Sequence, residues 1–119
     1  MGAEMKPVEW IGSSYKDFIA FPEPVQNSMG HALYLAQIGR MHISAKPLKG
    51  FGGASVLELI ESDEHGAYRA VYTVKFESAV YVLHAFQKKS RKGIKTPHDE
   101  IELVRRRLKI AEADNRTRR

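Results

Sequence analysis

The chain contains no cysteine, which removes disulfide bridges, thiolate metal sites and thiol nucleophiles from consideration. No apolar run approaches the roughly 18 residues needed to cross a membrane, so no membrane partner is expected. The opening residues, MGAEMKPVEW, have neither the basic start nor the apolar stretch of a secretory signal, and a cytoplasmic location is expected. There is no internal repeat, no low-complexity tract, no P-loop, no G-x-G-x-x-G after a strand, no H-E-x-x-H and no G-x-S-x-G. His31, His42, His65, His84 and His98 are scattered without metal-ligand spacing, so neither a metal nor another cofactor is expected. What is present is 119 residues, 43% hydrophobic and 28% charged, the size and balance of one folded domain spanning residues 1–119, with 1–5 and 114–119 expected to be flexible.

The net charge of +5 conceals an asymmetry. Residues 1–64 carry five basic and eight acidic side chains, whereas residues 65–119 carry fourteen basic and six acidic ones. The second half therefore has the charge to meet a polyanion, nucleic acid being the first candidate, or simply to form a solvated helix and a basic tail.

Residues 7–11 (PVEWI) read as a first strand. Ser13 and Ser14 offer caps for a short helix that Pro22-Glu23-Pro24 must end, and a second helix starts near Pro24. Its positions Val25, Met29, Ala32, Leu33 and Ala36 form one buried face, and Gly39 supplies a left-handed residue after its end. Residues 40–54, with Pro47 and three glycines, read as a loop. Three strands follow, Ser55–Glu61, Ala67–Phe76 and Ala79–Lys88, the last two joined at Glu77-Ser78 as an antiparallel meander. Thr96 as N-cap and Pro97 at the first helical position open a last helix to about Ala113 that buries Ile101, Val104, Leu108 and Ala111 and turns Arg105, Arg106 and Lys109 outward. The order strand, two helices, three strands, helix predicts an α+β domain with a mainly antiparallel sheet, a helical hairpin on one face and a C-terminal helix.

Counting outward from a two-residue turn at Glu77-Ser78 pairs Phe76 with Ala79 and assigns the faces. Tyr68, Ala70, Tyr72, Val74 and Phe76 then share a core face with Gln87, Ala85, Leu83, Tyr81 and Ala79. The other face gathers Arg69, Val71, Thr73 and Lys75 opposite Phe86, His84, Val82 and Val80, with Lys88 beyond Arg69. Arg holds phosphate through two hydrogen bonds, Lys adds point charge and Phe86 offers a surface on which a base can stack, so RNA chemistry fits this face. Arg69 as a cover for the sheet edge, and His84 as a hydrogen-bonded histidine beneath the last helix, are the structural alternatives. The run Lys88, Lys89, Arg91 and Lys92 reads equally as a solvated turn or a contact surface, and the segment from Lys46 to Lys49 reads by default as a plain surface loop, its stiff proline being the feature that would hold ammonium groups over the sheet.

The segments LKGFGGASVLELIES, YRAVYTVKFESAVYVLHAFQKKS and GIKTPHDEIELVRRRLK together resemble the RelE/ParE superfamily of bacterial toxins, in particular its HigB-like, phage-related branch. The resemblance spans residues 6–112 and is carried most specifically by Tyr68-Arg69-x-x-Tyr72, by Val82-Leu83-His84-x-Phe86-x-Lys88-Lys89 and by the Thr96-Pro97 helix start. It implies a RelE-like fold and the toxin of a type II toxin–antitoxin pair. Such a toxin cleaves messenger RNA at the ribosome without a metal, through attack of the ribose 2′-hydroxyl on the adjacent phosphate, and is neutralised by a helix-turn-helix antitoxin. Under this resemblance Arg69, Lys88, Lys89 and His84 are the catalytic candidates, and Lys46, Lys49, Lys75, Phe86, Arg91 and Lys92 the RNA-binding ones. A lysine base requires neighbouring positive charge to lower its pKa. The chain departs from relatives in having Ile60 after Glu58-Leu59, where many have arginine, and in lacking a tyrosine after Lys89. ParE-like relatives bind DNA gyrase, so gyrase inhibition and a catalytically silent basic interaction domain are the alternative functions.

Overall fold

A computed structural model describes residues 5–88 and 96–118. The first strand, β1 (Val8–Trp10), leads through Gly12 into a short helix, α1 (Ser14–Ile19), and a longer one, α2 (Glu23–Gln37). Pro24 sits in the first turn of α2, where its missing N–H costs nothing. Val25, Met29, Ala32, Leu33 and Ala36 are the buried residues of α2, the stripe expected from their spacing. The helix ends in a Schellman motif: Gly39 takes φ 81°, Arg40 N–H donates to the Leu35 carbonyl at 2.7 Å and Gly39 N–H to Ala36 at 3.1 Å.

Among the described residues five strands form one sheet in the order β1-β5-β4-β3-β2, with β2 (Lys46–Pro47), β3 (Val56–Asp63), β4 (Gly66–Thr73) and β5 (Val80–Lys88). The pair β1/β5 is parallel and the other pairs are antiparallel, so the sheet is mixed. The stretch read as a plain loop contributes β2, a two-residue edge strand that pairs Lys46 with Glu58 and Pro47 with Leu57. Proline is tolerated there because an edge strand needs hydrogen bonds on one side only. Every residue of the central β4 is buried.

The sheet is covered on both faces. Phe18 of α1 and the α2 stripe pack on Leu57, Leu59, Tyr68, Ala70, Tyr72, Val80, Val82 and Ala85. On the opposite face the last helix, α3 (His98–Thr117), inserts Val104 and Ala111 among Leu48, Val56, Val71, Tyr81 and Leu83, with Ile101 and Leu108 partly buried beside them. The helix runs past the expected end at Ala113. Its last turns are tied down by Tyr81 Oη donating to Asp114 at 2.7 Å and by an Arg118–Glu9 ion pair at 2.6 Å.

One expectation about the faces is corrected. Arg69↔Phe86, Ala70↔Ala85 and Val71↔His84 pair in the register counted from the turn, but the next pairs are Tyr72↔Val82 and Thr73↔Tyr81. Leu83 is thus an extra residue, a β-bulge, and an extra residue reverses the alternation for everything before it on the strand. Val80 and Val82 therefore lie on the hairpin side, while Ala79, Tyr81 and Leu83 pack under α3, the reverse of the expectation. Lys75 is displaced as well, because β4 stops at Thr73 and Lys75 is exposed beyond the strand. At about 3.3 Å per residue the end of the strand at Thr73 is already roughly 13 Å from Arg69.

Candidate functional site

Polar groups are concentrated beneath and beside the first turns of α3. Arg69 is only 1% exposed. Its Nη1 donates to Glu58 Oε2 at 3.1 Å and to Thr96 Oγ1 at 3.0 Å, and the Thr96 hydroxyl donates in turn to the same Glu58 oxygen. Strand alternation explains the meeting: Glu58 and Ile60 share the α3 side of β3, Ile60 stands opposite Arg69, and Glu58 is its diagonal neighbour. Thr96 was expected to cap α3. The N-cap is instead Pro97, without a side-chain hydrogen bond, because the threonine hydroxyl is engaged with Glu58 and Arg69. Burial of the guanidinium makes the opposing carboxylate a requirement of the fold, since an unpaired buried charge is costly.

His84 lies two residues from Phe86 on the same side of β5. Its Nε2 is 2.6 Å from Glu100 Oε1 of α3, and its ring stacks on Phe86 with centroids 4.7 Å apart at 23°. The Nδ1 atom is buried and makes no hydrogen bond among the described residues. A surface cavity of about 320 Å³ opens beside this pair, bounded by Asp17 and Phe21 on one flank, Glu100 on the other and His84, Phe86 and Gln87 at the base. It forms there because β1 pairs only with Val80–Val82, leaving the rest of β5 without a strand on that side among the described residues. The Leu83 carbonyl at the start of this stretch accepts from Arg107 Nη1 at 3.0 Å, and Arg107 Nη2 reaches Ser13 Oγ at 3.1 Å. Burial lowers the Arg107 pKa from its ordinary value, and the Asp17 carboxylate opposes that shift. Gly12 at φ 57° leaves room for this arginine, since a Cβ there would lie 2.9 Å from the guanidinium carbon.

Arg69, His84, Phe86 and half-buried Lys88 thus share one end of the sheet on the α3 side. Lys46 stands across from Glu58 on β2, exposed, and Lys49 is exposed in the loop that follows. Lys75 does not join them; its ammonium lies 5.7 Å from the centre of the Phe76 ring at the other end of β4. Lys89, Arg91 and Lys92 lie outside the described residues. The sheet face expected to meet RNA openly is instead roofed by α3, and the alternative in which His84 is a hydrogen-bonded histidine beneath that helix matches the observed geometry.

Sequence reasoning missed Glu58 and Glu100 as partners of Arg69 and His84. For Glu58 the signal was available, since a carboxylate alternating onto the face of a buried arginine on the adjacent strand is a ready partner. Glu100 was legible only as a first-turn acid of α3. Among the described residues, no three His, Cys, Asp or Glu side chains converge as metal ligands, and no helix is long and apolar enough to cross a membrane.

A family model described as Phage derived protein Gp49-like matches residues 16–109. Among solved structures, the toxin–antitoxin complex RelBE2 from Mycobacterium tuberculosis contains a similar chain, 14% identical, with a TM-score of 0.44 over 73% of this chain and 95% of that chain. No curated protein sequence matches this one.

Proposed function

The chain belongs to the phage-derived Gp49-like family, a family of RelE/HigB-type toxins, and from that membership we propose that it is the toxin of a type II toxin–antitoxin pair and cleaves messenger RNA. The observation that carries the chemical part is the convergence of Arg69, His84, Phe86 and Lys88 at one end of the sheet, beside a cavity. In this reading the ribose 2′-oxygen attacks the adjacent phosphorus, the bond from phosphorus to the 5′-oxygen breaks, and the products end in a 2′,3′-cyclic phosphate and a 5′-hydroxyl. The His84–Glu100 pair takes the 2′-hydroxyl proton, Lys88 supplies charge to the phosphate and a proton for the leaving oxygen, and Arg69 stabilises the phosphorane. Because Arg69 and His84 are buried, substrate contact requires Thr96 to leave Glu58 and the first turn of α3 to lift from His84. The ribosome and a translated message are the proposed setting in the cytoplasm, and a small helix-turn-helix antitoxin the proposed inhibitor.

Incubation with ribosomes and a translated message, with mapping of RNA ends, tests this directly. Lys88→Ala and Arg69→Lys are expected to lower cleavage by about 100-fold or more, the usual cost of losing one preorganised charge at a transition state. Undiminished cleavage by both variants overturns the site assignment. The burial of Arg69 and His84 also favours a second reading, action by binding alone, of which gyrase inhibition is the specific form. That reading predicts gyrase-dependent DNA breaks and intact messages in cells making the protein.

A further inference from the structure

The loop after β2 meets the middle of α3 through one pair of side chains that the chemistry above does not use. The Arg105 guanidinium lies over the Phe51 ring, 4.8 Å from its centre. Its Nη1 donates to the Gly50 carbonyl at 3.2 Å, and its Nε lies 3.6 Å from Glu102 Oε2. The planar cation is therefore held from three sides, yet its side chain remains 44% exposed. Covering Phe51 does not by itself require arginine, because any apolar or long aliphatic side chain at position 105 would do so. What arginine adds is a fixed, flat, positively charged surface facing solvent. An unpaired nucleobase stacks on such a plane, and phosphates need nearby ammonium groups. Lys49 immediately precedes Gly50, and Lys46 lies three residues earlier, both exposed. Bases inside a duplex have no free face to offer, so the geometry selects single strands.

We propose that Arg105, backed by Phe51, is a stacking platform for one base of single-stranded RNA, with Lys46 and Lys49 holding the flanking phosphates. The proposal rests on the RNA reading above but not on cleavage.

Binding by fluorescence anisotropy to a short 2′-O-methyl RNA, which lacks the attacking hydroxyl, tests it. Arg105→Lys keeps the charge and loses the plane, and is expected to weaken binding about tenfold. A series of oligonucleotides carrying one abasic site each should show one position with a similar loss, where Arg105→Lys adds little. Phe51→Leu, checked for folding by circular dichroism, should behave like Arg105→Lys. Lys46→Ala and Lys49→Ala should each reduce the slope of log affinity against log salt by roughly 0.7. Affinities within twofold for wild type and Arg105→Lys, or duplex RNA binding as tightly as the single strand, would overturn the platform. Cleavage of messages by a protein whose Arg105→Lys variant binds RNA normally removes the platform and leaves the toxin reading standing. Loss of cleavage activity with all binding differences intact does the reverse.

Discussion

The two faces of the sheet are built from the same strands yet organised differently. On the hairpin side α1 and α2 close over a continuous apolar core, and one polar atom within it is the Tyr72 hydroxyl of β4, buried without a hydrogen bond among the described residues. Burial pushes that phenol up to about 12. On the α3 side the apolar cluster fills only the middle, and Arg69, Thr73 and His84 are buried around it. A dry face contributes stability through area and packing. A face that buries charges depends on each having its partner, and it is there that chemistry, where the molecule has any, has side chains to work with.

Substitutions can break this contrast. The largest loss is expected for Glu58→Ala, which removes the carboxylate from a buried guanidinium and should cost about 3–5 kcal/mol in denaturant unfolding. Replacing both partners, Glu58→Leu with Arg69→Met, should recover most of that loss if the α3 side can be made as dry as the other. On the hairpin side Met29→Ala should cost about 3 kcal/mol, through lost transfer energy and a cavity, with no rescue by a second polar change. Tyr72→Phe should stabilise the protein by about 1 kcal/mol, since it removes an unsatisfied hydroxyl and keeps the ring. The smallest effect concerns Asp114, whose carboxyl is held below its ordinary range by hydrogen bonds from Tyr81 and Arg118. A group lowered in this way stabilises the fold above its unfolded value near 3.9 and loses that contribution as pH falls through the lowered folded value. Wild type and Asp114→Asn should therefore differ at neutral pH and converge in acid when thermal midpoints are compared.

Much of the hairpin side was legible in the sequence because its determinants are periodic. The α2 stripe from Val25 to Ala36 and the stop at Gly39 follow from helical spacing and from the φ > 0 that glycine accepts. The pairing from Ala67↔Lys88 to Val71↔His84 was readable for the same reason, but Leu83 breaks the period and nothing local announces it. The two residues of β2 are too few for any alternation to register. Thr96 looked like a cap because capping is a local rule, and a tertiary partner, Glu58, overrode it. The candidate site was legible as a set of residues on one strand face. The helix lying across it was legible only as an alternative, with His84 beneath it, because amphipathicity tells that α3 packs on something without telling which face receives it.

The bulge at Leu83 also sets a phase boundary within β5. Val80 and Val82 belong to one phase and Tyr81 to the other, and Tyr81 is the residue whose hydroxyl fastens α3 at Asp114. Were Leu83 paired in regular register with no bulge, these roles would be exchanged, turning Tyr81 toward α2 and bringing Val82 under α3 with no group to reach Asp114. A single unpaired residue therefore keeps the far end of the helix attached, because it absorbs the half-period that would otherwise turn Tyr81 away.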